Sequence, residues 1–183
     1  MTRALSTRRV FLVGFMGAGK SSVGRALASR LGWRFCDLDQ VIEKRESKTV
    51  AEIFAEREEA GFRVAETKAL EELLQDPSWK TDLVVALGGG TFVQPQNRRI
   101  LEEAQAITVL LEAPVDELRR RCTAGGSVRP LAGDLKRFEW LYEERLAAYK
   151  MARHKVNTMG KTVEEVTAEI ASILTSITPG SQP

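Results

Sequence analysis

The stretch that most constrains the fold of this 183-residue chain is residues 8–31, where an apolar run leads through glycines into a helical pattern. The run "RRVFLVGF" is rich in β-branched and aromatic residues and predicts a buried strand. The segment "GFMGAGKSS" follows, and a helix is predicted from about Lys20 to Leu31, with Val23 and Leu27 on one face. A strand that passes through a loop into a helix is the building unit of parallel α/β folds.

The rest of the chain continues this alternation. Further strands are predicted at "WRFCDLD", "DLVVALGGG", "AITVLLEA" and, as a short edge strand, "KVN". Helices are predicted between them, and capping boxes at Thr49 with Glu52 and at Thr162 with Glu165 mark two helix starts. Gly61 is expected to divide the long helix that follows Thr49. The pattern predicts a three-layer α/β fold with a central parallel sheet of about five strands, covered by helices on both faces.

Composition favours one domain over residues 1–183 and excludes several classes of protein. The net charge of +2 carries no basic block, so we expect no nucleic-acid partner. No apolar run approaches the ~20 residues of a membrane span, and no signal peptide is evident, so we expect no membrane partner. Cys36 and Cys122 lack metal-site spacing, which favours a cytoplasmic location. We also expect a monomer, with a disordered tail at about 176–183.

The glycine-rich segment carries a phosphate-binding signature. Gly14, Gly19, Lys20 and Ser21 fit the P-loop pattern G-x-x-x-x-G-K-[ST], which makes the expected fold P-loop NTPase-like. In such a loop the backbone N–H groups converge on phosphates at a helix N-terminus, while the lysine reaches the β- and γ-phosphates. The Ser21 hydroxyl would ligate Mg²⁺. The predicted ATP-binding residues here are Gly17, Ala18, Gly19, Lys20, Ser21 and Ser22.

A dinucleotide-binding loop is the main alternative to this interpretation. Gly17, Gly19 and an acidic residue twenty positions after Gly17, Asp37, partly match that fingerprint. However, Ser22 stands where the third glycine is required, and the dinucleotide motif does not call for a lysine at the position of Lys20. We therefore favour the P-loop.

Two aspartates and three glycines follow the next predicted strands. Asp37 and Asp39 lie two residues apart, so their side chains share a side if the strand extends that far. Such a pair can serve Mg²⁺ and an acceptor hydroxyl respectively, and helix N-capping by Asp39 is a compatible alternative. Because ligands of parallel sheets bind outside the carboxyl ends of the strands, these aspartates, the P-loop and Gly88–Gly90 are expected to lie at one edge.

Along nearly its whole length the chain resembles the shikimate kinase family. The matching segments, in order, are "GFMGAGKSS", "DLDQVIE", "IFAEREEAGFR", "LGGGT", "RPL" and "EERLAAY". The resemblance implies Mg²⁺-dependent transfer of phosphate from ATP to a ring hydroxyl of shikimate, giving shikimate 3-phosphate and ADP in chorismate and aromatic amino-acid biosynthesis. Two alternatives stay open: a kinase for another small polyol acid such as gluconate, and a catalytically silent, kinase-like binding module.

The resemblance also implies roles for individual residues. It assigns the substrate carboxylate to two arginines, Arg63 and Arg145. Arg63 lies within a substrate-binding helical region at about 39–75, and Arg145 lies beyond that region. Asp39 receives the ring hydroxyls, and the backbone of Gly88, Gly89 and Gly90 approaches the substrate. Arg129 lies in a mobile lid at about 123–135 and closes over the transferring phosphate, and Lys161 lies in the segment that flanks adenine. The implied catalytic residues are Lys20, Asp39 and Arg129, and the implied metal ligands are Ser21 and Asp37. Family members commonly carry proline where this chain has Ala147.

Overall fold

A computed structural model describes residues 8–124 and 134–177 of the chain. Its sheet has five strands in the order β2-β3-β1-β4-β5, and every neighbouring pair is parallel. The strands are β1 (Arg9–Val13), β2 (Arg34–Asp37), β3 (Leu83–Ala86), β4 (Ile107–Glu112) and β5 (His154–Asn157). The parallel five-stranded sheet of the sequence prediction is confirmed.

Helices flank this sheet. They are α1 (Lys20–Leu31), α2 (Leu38–Glu46), α3 (Val50–Gln75), α4 (Pro95–Glu103), α5 (Val115–Ala124), α6 (Leu135–Tyr149) and α7 (Val163–Ile177). Short 3-10 turns occupy Pro77–Trp79 and Thr91–Val93. Helix α1 packs against α7, α3 packs against α2 and α4, and α5 packs against α6. Within the described part of the chain, no helix is both long enough and apolar enough to cross a membrane.

The central strand β1 carries the phosphate-loop segment into the site. Its residues Val10, Phe11 and Leu12 are fully buried, as expected for a parallel strand covered on both faces. Val10 pairs with Val84 of β3 on one side and with Ile107 of β4 on the other. The loop that leaves β1 therefore begins at the most enclosed position of the sheet.

Helix α2 begins earlier than the sequence pattern predicted. Strand β2 ends at Asp37, so Asp37 and Asp39 do not share a strand face. The N-cap of α2 is Asp37, whose Oδ1 accepts a hydrogen bond from the Asp39 N–H at 3.2 Å. The alternative prediction, that Asp39 caps this helix, is therefore wrong. Asp39 lies in the first turn of the helix, where the helix dipole favours a negative charge.

The break in the long helix α3 lies at Glu58, and the prediction of a break at Gly61 is wrong. Glu58 has φ 57° and ψ −174°, a conformation that residues other than glycine rarely adopt, whereas Gly61 is helical. Across the break, the rings of Phe54 and Phe62 stack with their centroids 4.4 Å apart. The stacking of these two rings across the break holds Glu58 in a strained backbone. Both predicted capping boxes are confirmed, at Thr49 and at Thr162.

Glycine at position 58 is expected to stabilise the protein. Relief of about 1–3 kcal/mol of strain exceeds the extra backbone entropy of glycine, about 0.5–1 kcal/mol, so we expect Glu58→Gly to raise the free energy of unfolding by about 1 kcal/mol. Thermal and urea unfolding measure the change. The matched control is Ala55→Gly, at an exposed helical position of α3, which is expected to lower stability by about 1 kcal/mol. Equal destabilisation by both substitutions would contradict the assignment of strain to Glu58.

Two predicted segments fall largely outside the described residues. Of the lid predicted at about 123–135, Thr123 and Ala124 end α5, and Asp134 caps α6, which begins at Leu135. Of the tail predicted at about 176–183, residues 176 and 177 end α7. Residues 125–133, with Arg129, and residues 178–183 lie outside the description.

Candidate active site

The loops that follow β1, β2 and β3 surround one cleft of about 700 Å³, within the range of small-molecule sites. The cleft contains most of the predicted site residues. These are Gly17, Gly19, Lys20, Ser21, Ser22, Asp37, Asp39, Arg63, Gly88, Gly89, Gly90 and Arg145. Ala18 lies beneath the loop, 1% exposed, and Lys161 lines an adjoining cavity. Arg129 lies outside the described residues, so its role stays a prediction.

The loop between β1 and α1 has the conformation of an anion-binding site. Gly17 and Gly19 have φ of 80° and 87°, and a Cβ at Gly17 would collide with the Leu118 carbonyl oxygen. Gly19 is the N-cap of α1, and within the described residues no side chain caps this helix and no acidic residue lies in its first turn. The amide groups and the positive end of the α1 dipole are therefore available to phosphate.

Lys20 places a positive charge over this loop. Its Nζ donates hydrogen bonds to the carbonyl oxygens of Gly14 at 2.8 Å and Phe15 at 3.0 Å. Both acceptors belong to the loop itself, so the amine is held close to the amide groups that would bind phosphate. A phosphate in the loop would meet a charged donor as well as backbone amides.

Ser21 and Asp37 form a pair of oxygen ligands beside the loop. Ser21 Oγ donates to Asp37 Oδ2 at 2.6 Å, and the other carboxylate oxygen of Asp37 caps α2. Hydroxyl and carboxylate oxygens are donors that Mg²⁺ accepts, and Mg²⁺ usually keeps waters and phosphate oxygens as its other ligands. Among the described residues, no group of three or more His, Cys, Asp or Glu side chains is arranged to hold a metal. The pair therefore fits Mg²⁺ that is bound jointly with nucleotide phosphates.

On the opposite side of the cleft, Arg63 is held by two carboxylates. Its Nη1 donates to Glu66 and its Nη2 to Glu59, each at 2.9 Å. Burial lowers the pKa of Arg63, but the charge of Glu66 and the hydrogen bonds to both carboxylates outweigh it and raise that pKa above its ordinary value. Arg63 Nε is buried and has no hydrogen-bond partner among the described residues. The guanidinium is thus fixed and charged at the wall of the cleft.

Glu66 itself is fully buried and belongs to a polar network that the sequence did not predict. Its second oxygen accepts a hydrogen bond from Thr91 Oγ1, and the Thr91 carbonyl accepts one from Asn97 Nδ2 at 3.0 Å. Asn97 Oδ1 in turn accepts from Thr67 Oγ1 at 2.8 Å. A carboxylate three residues after Arg63 and a threonine directly after the triple glycine are the only sequence signals of this network.

A second arginine, Arg145 of α6, lies at the glycine turn. A Cβ at Gly89 would lie 3.5 Å from Arg145 Nη1 and 4.0 Å from the Tyr149 hydroxyl. Tyr149 is 2% exposed and its hydroxyl donates to the Gly89 carbonyl. Burial raises the pKa of Tyr149 to about 12. Arg63 and Arg145 therefore reach the same cleft from α3 and α6, which gives it two guanidinium groups opposite the phosphate loop.

The adjoining cavity, of about 320 Å³, lies beyond the other side of the phosphate loop. It shares Gly19, Ser22 and Arg121 with the main cleft and includes Lys161. Lys161 Nζ lies 2.5 Å from Glu169 Oε2. Arg121 donates to Thr158 Oγ1 and to the Thr158 carbonyl, each at 2.9 Å. Of the three consecutive arginines 119–121, Arg121 lines both cavities.

A phosphate-binding loop that shares one cleft with a pair of guanidinium groups defines a P-loop kinase of a small anionic acceptor. The comparisons specify the family. The shikimate kinase family model matches residues 16–175. A shikimate kinase of Geobacter metallireducens is 42% identical over 172 residues, covering 92% of this chain and 93% of the relative. The chain belongs to the shikimate kinase family.

Other relatives and solved structures agree. A shikimate kinase of Persephonella marina is 38% identical, in an alignment that covers 89% of this chain and 96% of the relative. The structure of a shikimate kinase from Acinetobacter baumannii in complex with shikimate superposes with a TM-score of 0.83 at 32% identity, covering 96% of this chain and 97% of that one. The shikimate kinase of Aquifex aeolicus has a TM-score of 0.80 at 32% identity, over 94% and 99% of the two chains.

Proposed function

We propose that this chain transfers the γ-phosphoryl group of ATP to a ring hydroxyl of shikimate, giving shikimate 3-phosphate and ADP. The observation that carries the proposal is the single cleft in which the phosphate loop faces Arg63 and Arg145. Family membership supports the choice of acceptor, because the Acinetobacter baumannii relative is solved in complex with shikimate. Shikimate offers one carboxylate for the guanidinium groups and hydroxyls for the transfer itself.

On the nucleotide side, the loop and Lys20 bind the phosphates. The amides at the start of α1 receive the phosphate oxygens, and Lys20 adds charge where negative charge develops during transfer. Mg²⁺, held by Ser21 and Asp37 together with the nucleotide, would neutralise phosphate charge. The cavity that contains Arg121 and Lys161 adjoins the loop at Gly19 and Ser22, is not lined by Arg63 or Arg145, and suits the rest of the nucleotide.

On the acceptor side, the charges orient shikimate. Guanidinium groups bind carboxylates through paired, charge-assisted hydrogen bonds, so Arg63 and Arg145 fix the carboxylate. Asp39 lines the same cleft as the phosphate loop and both arginines, with its Oδ1 2.6 Å from the position of a Cβ on Gly88. Its carboxylate accepts the hydrogen bond of the attacking hydroxyl and directs that oxygen towards the γ-phosphate. Positioning and charge neutralisation account for most of the catalysis in such transfers.

Gly90 is expected to tolerate a side chain less well than Gly89. A Cβ there would overlap both terminal nitrogens of Arg63, whereas a Cβ at Gly89 would make ordinary contacts. Displacing a charged hydrogen-bonding group costs about 1.5–3 kcal/mol, so Gly90→Ala should raise the KM for shikimate about 10- to 100-fold. Gly89→Ala should raise it less. Steady-state kinetics of both variants give the order, and an equal effect of the two would contradict this placement of Arg63.

The experiment that tests the function is ADP release from Mg²⁺–ATP with shikimate, with gluconate, with the carboxamide of shikimate, and with no acceptor. We expect release with shikimate, a much higher KM for the carboxamide because the guanidinium groups lose their carboxylate, and background release otherwise. Omission of Mg²⁺ with added chelator should abolish release. Release with gluconate alone would reject shikimate as the acceptor. Nucleotide binding without release to any acceptor would instead support the binding-module alternative.

A further inference from the structure

We infer that Tyr149 is a positioning residue that holds Gly89 and Arg145 in place behind the cleft and thereby sets the affinity for the acceptor carboxylate. The inference rests on the proposed function, in which Arg145 binds that carboxylate. Tyr149 is 2% exposed, and the cleft wall in front of it is formed by Gly89 and Arg145. Its hydroxyl therefore acts through these two residues and does not contact the acceptor.

The first link runs from Tyr149 to the glycine turn. Its hydroxyl donates to the Gly89 carbonyl across 60 positions of sequence. That carbonyl belongs to the peptide unit that also carries the Gly90 N–H, so the bond fixes the plane of this peptide. Gly90 lies directly against the terminal nitrogens of Arg63. The Gly88 and Gly90 carbonyls accept backbone hydrogen bonds from Thr91 and Val93, so the Tyr149 hydroxyl completes the set of bonds that orients the turn and the space around Arg63.

The second link runs to Arg145, one helical turn before Tyr149 on the same face of α6. The Arg145 guanidinium is close enough to the Tyr149 hydroxyl that its charge and hydrogen bonding oppose the effect of burial on the pKa of that hydroxyl. Burial prevails and the pKa rises to about 12. The hydroxyl therefore stays protonated at neutral pH and keeps donating to Gly89 while Arg145 lies beside its oxygen.

The other tyrosine of the chain, Tyr142, offers a matched control. Both tyrosines lie on α6, and both rings meet Phe15 of the phosphate loop edge-on, with centroids 5.4 Å away for Tyr142 and 6.5 Å for Tyr149. Tyr142, however, lines a separate groove with Glu112 and Lys150. Removal of its hydroxyl makes the same chemical change on the same helix without touching the glycine turn.

The experiment compares Tyr149→Phe with Tyr142→Phe in steady-state kinetics. For Tyr149→Phe we expect the KM for shikimate to rise about tenfold, because the half-buried Gly89 carbonyl loses its donor and the turn relaxes, with kcat and the KM for ATP within about twofold. Tyr142→Phe should change all three by less than about twofold. An unchanged KM for shikimate in Tyr149→Phe, or an equal rise in the KM for ATP, would overturn the inference.

A double-mutant cycle separates positioning from a general loss of structure. If Tyr149 acts through Arg145, Tyr149→Phe should raise the KM for shikimate much less in an Arg145→Ala background than in the wild type. Fully additive effects would instead show that the tyrosine does not act on the site through Arg145. Thermal unfolding of all variants shows whether each is folded at the assay temperature.

A spectroscopic measurement tests the inference even if Tyr149→Phe does not fold. The chain has two tyrosines, so Tyr142→Phe labelled with 3-fluorotyrosine carries a single ¹⁹F probe, at Tyr149. Its resonance should shift on addition of shikimate and much less on addition of ATP alone. No shift at saturating shikimate would overturn the inference. Failure of the wild type to phosphorylate shikimate would instead reject the proposed function, so the two failures are distinguishable.

Discussion

Lys20→Ala is expected to lower kcat by about a thousandfold while leaving the protein folded. The Lys20 amine is held over the phosphate loop by the carbonyls of Gly14 and Phe15, where charge develops on the transferring group. Loss of one such preorganised charged donor typically lowers rates by about 10²–10³-fold, and cationic groups on transferring phosphates reach about 10³–10⁵-fold. The measurement is kcat with saturating shikimate and ATP.

The matched control for this prediction is Lys68→Ala. Lys68 is an exposed lysine of α3, and alanine suits a helix, so kcat should change by less than about twofold. A folded Lys20→Ala enzyme that keeps more than a tenth of the wild-type kcat would show that the loop does not place the phosphate as proposed. Lys20→Arg is expected to recover little, since a planar fork does not reproduce a compact ammonium group.

Asp39→Asn is expected to lower kcat by about 10²–10⁴-fold, the usual contribution of a group that accepts a proton or hydrogen bond from the nucleophile. Asparagine keeps the size of the side chain, but its amide cannot carry the charge that orients the hydroxyl. The affinity for ATP should change little, because the proposed metal ligand is Asp37 and not Asp39, and because Asp37 also caps α2. Single-turnover kinetics and nucleotide titration report the two quantities separately.

Asp116→Asn is the corresponding control. Asp116 is an exposed aspartate in the first turn of α5, as Asp39 lies in the first turn of α2. Asp116→Asn removes a negative charge from the same position relative to a helix dipole as Asp39→Asn does. Because Asp116 lies away from the cleft, kcat should stay within about twofold. If Asp39→Asn and Asp116→Asn reduce kcat equally, Asp39 has no special part in the transfer.

The parts of the fold that the sequence predicts well are those set by local patterns. The strand, glycine loop and helix over residues 9–31 follow from apolar runs and glycine spacing, and both capping boxes follow from pairs three residues apart. The meeting of Asp37, Asp39 and Gly88–Gly90 follows from the geometry of parallel strands.

The features that the sequence did not predict depend on contacts between residues that are not neighbours in the sequence. The break in α3 lies at Glu58 because packing of Phe54 on Phe62 overrides the local preference that pointed to Gly61. The burial of Glu66 depends on Arg63 beside it and on Thr91, 25 positions away. A carboxylate on a helix is ordinarily solvated, and only the complete fold shows that this one is enclosed.

The two halves of the cleft are attached to different strands of the sheet, one central and one at an edge. The phosphate loop leaves β1, which has a neighbouring strand on each side, whereas Asp39 follows β2, which has a neighbour on one side only. Exposing the backbone of β1 requires the sheet itself to separate, so amide hydrogens there should exchange with solvent only through global unfolding. The two edges of the sheet are β2 and β5, so partial openings are expected at these strands and not at β1. Residues that follow the edge strand β2 can therefore change, and with them the choice of acceptor, without exposing the strand that carries the phosphate loop.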